Sequence, residues 1–117
     1  MKIKVAEASG PVLDWMVAKC EYDDLAAKNI QYPQHAKHYP VISPSTDWAL
    51  AGPIIEREGI AIDCVRCDGK IDGWIAALPL FCEAKYEEAS PTPLTAAMRC
   101  YVLAKLGKEV EVPEGLV

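Results

Sequence analysis

The chain has 117 residues, 51% of them hydrophobic and 25% charged, with a net charge of −5. A chain of this length suits one domain over 1–117 with a core of its own. The acidic balance excludes broad contact with a phosphate backbone, where Lys and Arg must cluster, and no apolar run approaches the ~20 residues that a membrane span needs.

Lys2, Ile3, Lys4 and Val5 alternate charged with apolar, which predicts a short strand over 2–6. That segment lacks the continuous apolar stretch of a secretion signal, so a cytoplasmic protein is expected. Ser9, Gly10 and Pro11 read as a helix start, with Ser9 as cap and Pro11 in the first turn. Leu13, Met16, Val17 and Cys20 recur at helical spacing and predict a helix to about Cys20. Asp14 near its start and Lys19 near its end suit the helix dipole.

Tyr22, Asp23 and Asp24 read as caps for a short second helix through Lys28. Pro33 and Pro40 then flank His35 and His38 with little apolar pattern, and 21–42 as a whole reads as a long surface loop.

The stretch 44–58 combines the densest structural signals. Ser45, Thr46 and Asp47 are candidate caps for a short turn carrying Trp48 and Leu50. Gly52 and Pro53 predict a restart, with Pro53 at a first helical position. Ile54 and Ile55 are expected to face the core and Glu56, Arg57 and Glu58 to face water, with Gly59 as the left-handed stop.

Alternation predicts a strand over 60–67, a turn at Asp68, Gly69 and Lys70, and a return strand over 74–78. A third, irregular strand is predicted over 80–85, then loop or edge over 86–89. Thr92 before Pro93 predicts a capped helix, with Leu94, Ala97, Met98, Tyr101 and Val102 as its apolar stripe and Gly107 as its end. Residues 109–112 alternate and read as a terminal strand. The whole predicts an α+β domain: one small, mostly antiparallel sheet with about three flanking helices.

Residues 43–48, 52–58, 91–94 and 96–99 together resemble the NinX-like proteins of lambdoid phages, and 10–19, with Leu13, Asp14 and Trp15, is similar too. The likeness covers most of the chain except 22–41 and the hairpin. More remotely, the Ser-Thr-Asp stretch followed by a Pro-led helix with Ala-Met-Arg resembles a small phage domain described as an α–β–α sandwich. The resemblance implies a phage or prophage origin, hence a bacterial host cell, and an α+β domain. It carries over no catalytic residue. Ser45, Thr46, Asp47, Trp48, Gly52, Pro53, Glu56, Arg57, Thr92 and Arg99 are the family-motif and interaction candidates.

Other constellations compete with structural readings. Cys64 and Cys67 before Asp68 and Gly69 look like half a zinc knuckle, which His35 and His38, or Cys82 or Cys20, would have to complete. Odd spacing on a strand instead puts the two thiols on opposite faces, and that reading is preferred. With an odd number of cysteines (Cys20, Cys64, Cys67, Cys82, Cys100), no disulfide framework is expected and most are read as small buried residues. A Cys–His nucleophile lacks any orienting third group at a recognisable spacing. Asp47, Glu56 and Glu58 are formally a carboxylate set, but capping explains Asp47 better, and Glu56 and Glu58 do not share a helix face. Arg99, on a helix crowded with apolar groups, is expected to pair with Asp47. Trp15, Trp48 and Trp74 are expected in or beside the core, whereas an exposed one marks a protein contact. The function expected is a non-enzymatic phage accessory protein, without cofactor, that binds an unidentified host or phage protein. The alternative is a small zinc-binding or nucleic-acid-associated module using Cys64 and Cys67.

Overall fold

A computed structural model describes residues 1–27, 41–78 and 89–116, with the backbone alone for 24–27. Predictions for the rest of the loop, including His35 and His38, and for the strand over 80–85, lie outside the described residues. In chain order the elements are β1 (Lys2–Lys4), a 3₁₀ turn (Val5–Glu7), α1 (Gly10–Ala27), α2 (Trp48–Glu58), β2 (Ala61–Cys67), β3 (Lys70–Ala77), α3 (Pro93–Leu106), β4 (Glu109–Glu111) and a 3₁₀ turn (Glu114–Leu116). The class is α+β, as predicted.

The strands form two separate antiparallel pairs, β1 with β4 and β2 with β3, instead of the one sheet expected. The reason lies in the chain ends. β1 sets Lys2 opposite Glu111, Ile3 opposite Val110 and Lys4 opposite Glu109, so opposite charges flank one apolar pair. Val5 N–H donates to Lys108 O at 2.9 Å and Val112 N–H to Met1 O at 2.9 Å, extending the pairing at both ends. These short strands satisfy each other and do not need the hairpin.

α1 runs past the predicted stop. No Gly or Pro follows Cys20 until Pro33, and Lys19 pairs with Asp23 one turn on at 2.9 Å, so Tyr22 and Asp23 continue the helix instead of capping a new one. Leu13, Met16 and Val17 are completely buried and Cys20 nearly so, as the spacing predicted.

α2 is one eleven-residue helix, not a turn and a restart. Asp47 caps it, accepting the Ala49 N–H at 2.9 Å. Ala51, Ile54, Ile55 and Glu58 then form one inward stripe at helical spacing, with Ala51 and Ile54 buried. This shared stripe carries the helix through Gly52 and Pro53. Both residues weaken it: an interior Gly costs roughly 0.5–1 kcal/mol and an interior Pro about 3 kcal/mol. Gly59 ends it in the left-handed conformation (φ 70°), its N–H returning to Ile55 O.

The hairpin turns on Asp68 (φ 52°) and Gly69 (φ 78°), the backbone of a two-residue turn that matches strand twist. The return strand begins at Lys70, earlier than predicted, because this turn pairs Cys67 directly with Lys70. Arg66 faces Ile71 but Val65 faces Gly73, so Asp72 is an extra residue bulged out of β3. Beyond the bulge, Trp74 and Ser90 exchange backbone hydrogen bonds at 2.9 and 2.8 Å. A Cβ on Gly73 would stand 2.7 Å from that of Ala89.

α3 is the hub. Thr92 caps it, accepting the Thr95 N–H at 3.1 Å, with Pro93 at the first position as predicted. Leu94 through Met98 and Cys100 through Val102 are buried, so the helix is enclosed on nearly every side. It packs against α1, α2, β2 and β3. Its small residues, Ala96, Ala97 and Cys100, allow close approach, while Met98, Tyr101 and Val102 fill the centre with Leu13, Met16 and Val17. Each such large side chain contributes about 1.5–3 kcal/mol by burial. No helix among the described residues is long and apolar enough to cross a membrane.

Candidate functional site

The candidates on 44–58 divide into an inner set that fastens α2 and an outer set that is displayed. Pro44 and Ser45 are buried, and the Ser45 N–H donates to Asp14 Oδ1 at 2.9 Å, across 31 residues of chain. Asp14 is itself buried; it braces this turn, a role that its place near a helix start did not reveal. Ser45 Oγ is buried without a hydrogen-bond partner. Thr46 is exposed, its hydroxyl 3.4 Å from Ser43 O.

Arg57, expected to face water, is the fastening at the other end of α2. Its guanidinium reaches Glu21 on α1 at 2.9 Å, Glu58 at 2.8 Å and the Tyr101 hydroxyl on α3 at 3.3 Å. Lys105 adds a contact to Glu58 at 3.5 Å. Hydrogen bonding to Glu21 strengthens Arg57's hold on its proton, and Arg57 holds Glu58 below the usual carboxylate range. Burial pushes the Tyr101 phenol up, so the hydroxyl stays protonated. One sequence signal pointed here: Tyr101 lies on a buried stripe, and a buried hydroxyl needs a partner. Glu21, 36 residues from Arg57, gave none.

Arg99 does not pair with Asp47. Its Nε donates to Ala8 O at 2.7 Å and its Nη1 to Ser90 Oγ at 3.0 Å, tying α3 to the start of α1 and to the residues beside β3. Asp47 meanwhile spends a carboxylate oxygen on its own helix. The arginine that joins the central stretch to α3 is Arg57. Thr92, at the cap of α3, is a local structural residue.

The outer face of α2 is different in kind. Trp48 is 56% exposed, against the expectation that it sits in or beside the core, whereas Trp15 and Trp74 do pack against the core. Leu50 is 38% exposed, and Ala49, Pro53 and Glu56 are also exposed, with Gly52 half-buried among them. The cause is rotational for most of them. Ala51, Ile54 and Ile55 use the one inward stripe, and at about 100° per residue Ala49, Pro53 and Glu56 fall on the opposite side with Gly52 at its flank, whereas Trp48, two turns before Ile55, is exposed at the first position of the helix.

On the hairpin, Cys64 is half-buried opposite Trp74 and Cys67 is exposed opposite Lys70. Three residues apart on one strand, they point to opposite faces. Among the described residues no three His, Cys, Asp or Glu side chains gather as metal ligands. His35, His38 and Cys82 lie outside the described residues. Burial raises the Cys20 thiol to about 12, so it is held as a neutral core group.

No curated protein matches the chain. The family described as Bacteriophage P22, NinX matches residues 4–105, a span that takes in α1, α2, the hairpin and nearly all of α3, and the chain belongs to that family.

Proposed function

We propose that this phage protein is a non-enzymatic interaction module that binds another protein in the host cytoplasm through the outer face of α2. The observation that carries the reading is Trp48: a large aromatic 56% exposed on a helix that is capped at one end and fastened by Arg57 at the other. Trp48 is exposed together with Ala49, Leu50 and Pro53 as one apolar surface, and Trp is enriched among residues that dominate protein–protein binding energy. Fastening matters as much as exposure, because a helix already fixed loses little entropy when it is covered.

The test is affinity capture from infected and uninfected cells with the native chain and with Trp48→Ala. The reading expects a stoichiometric protein partner on the native chain that Trp48→Ala loses while its circular dichroism and thermal midpoint stay unchanged. No stoichiometric partner, or one retained by the variant, refutes it.

A further inference from the structure

Gly52 is unexplained by the fold. A Cβ there would meet nothing within 4 Å, and its φ is not in the left-handed region. Alanine would fit and would favour the helix. What the absent side chain does create is an open notch on the outer ridge of α2, one turn after Trp48 and one turn before Glu56. Ala49 and Pro53 border it, both exposed. From Trp48 to Ile55 the helix carries no charged side chain, although much of its surface faces solvent.

The two ends of this apolar ridge are acidic. Asp47 stands before it and Glu56 after it, both exposed, and among the described residues neither meets a cation. Nine residues of helix separate them by about 14 Å. Arg57, the nearest positive charge on α2, is already taken by Glu21 and Glu58.

We infer that the ridge Trp48–Gly52–Glu56 docks a segment of another protein with an apolar side chain at its centre, seated in the Gly52 notch, and Lys or Arg on both flanks. This inference rests on the interaction reading above and adds the chemistry of the partner. Charge complementarity selects the occupant. A second copy of this chain, packed through the same face about a twofold axis, would set Asp47 and Glu56 of one copy against those of the other. Nucleic acid and anionic lipid would bring negative charge to the same acids.

The probe is a randomised peptide library, long enough for three helical turns, selected on the immobilised full chain. Enriched peptides are expected to show an apolar centre flanked by Lys or Arg, and to bind more weakly as salt rises. Trp48→Ala should weaken the best of them at least about thirtyfold. Glu56→Lys and Gly52→Gln should each weaken them about tenfold, the first by reversing a rim charge and the second by filling the notch. Gly52→Gln should at the same time raise the thermal midpoint, so that loss of binding cannot be loss of fold. No enrichment, enriched peptides without basic bias, or affinities indifferent to these variants overturn the inference. So does a dimer in sedimentation that Trp48→Ala dissolves, which makes the occupant a second copy. Capture from infected cells separates the two proposals. A stoichiometric partner that survives both Gly52→Gln and Glu56→Lys but is lost with Trp48→Ala removes the basic-segment inference and leaves the interaction reading standing.

Discussion

Asp14→Ala tests whether a carboxylate on α1 sets the path of the chain into α2. Asp14 is 9% exposed, Ser45 is 4% exposed, and the Ser45 N–H reaches Asp14 Oδ1 at 2.9 Å. Deleting the acceptor leaves a backbone donor where water scarcely reaches. An unsatisfied buried group costs about 1–3 kcal/mol, and a lost bond to a charged acceptor lies towards the upper end. The expected cost is therefore about 2–3 kcal/mol, a fall in Tm of roughly 10 °C for a chain of this size. Asp14→Asn keeps a carbonyl oxygen as acceptor and should cost about 1 kcal/mol. Ser45→Ala is the opposing control. Its Oγ is buried and unpartnered, so removing it should leave stability unchanged or raise it by up to ~1 kcal/mol. Urea unfolding of the four chains, with m values compared, measures all of this. An Asp14→Ala cost below ~0.5 kcal/mol, or a Ser45→Ala loss as large as that of Asp14→Ala, refutes the reasoning.

Arg57→Ala should cost about 1 kcal/mol at neutral pH, a small figure because the guanidinium is half exposed and screened. Arg57 depresses Glu58, so that increment is present above Glu58's ordinary value of 4.5 and is lost as pH falls through the lower folded value. The two chains should converge in acid unfolding, and a constant gap would count against the cluster. Gly73→Ala should cost about 1–3 kcal/mol, since its Cβ would lie 2.7 Å from that of Ala89 and one strand must move; calorimetry showing no loss removes that packing argument. The Cys20 thiol keeps its proton in the fold up to about 12 but loses it near 9.0 when unfolded. Its contribution is complete below the unfolded value and drains away between the two, by up to ~1.4 kcal/mol per pH unit. Cys20→Ala should flatten the alkaline decline of stability, and equal slopes for the two chains would refute the assignment.

The helices were legible because their signals are local. Leu13, Met16, Val17 and Cys20 set the buried face of α1 by spacing alone, and Thr92 with Pro93 set the start of α3. Asp68 and Gly69 announced the hairpin. What the chain concealed depends on partners distant in sequence. Nothing near Lys2 and Lys4 says that Glu111 and Glu109 will face them, and so the strands were wrongly merged into one sheet. Arg99 was misjudged for the same reason, as a long cation whose acceptors lie on other elements, and Arg57, exposed as expected, gave no sign of its contacts to Glu21 and Tyr101. Gly52 and Pro53 misled differently. Their local preference for a break was real, but the stripe of Ala51, Ile54 and Ile55 outweighed it. Trp48 misled too: it was expected in or beside the core and is 56% exposed at the first position of α2.

The two halves of 44–58 explain each other. Inside, the Asp14 brace on Ser45 and the Arg57 contacts to Glu21 and Tyr101 hold α2 against α1 and α3 at both of its ends. Such fastening is more than eleven residues of helix need for burial, since only Ala51 and Ile54 are fully enclosed. A helix with so small a buried face, and with Gly and Pro in its interior, would fray without ties. The ties therefore offset the cost of an outer face built for something other than packing. If that is their role, loosening them should harm binding without touching the binding face. Asp14→Ala, at the turn that precedes the helix, should then slow capture of a partner or weaken it by the penalty of ordering α2 afresh, while Asp14→Asn largely preserves it. A partner held equally well by native chain and Asp14→Ala, at temperatures where the variant remains folded, would show the bracing to be structural only.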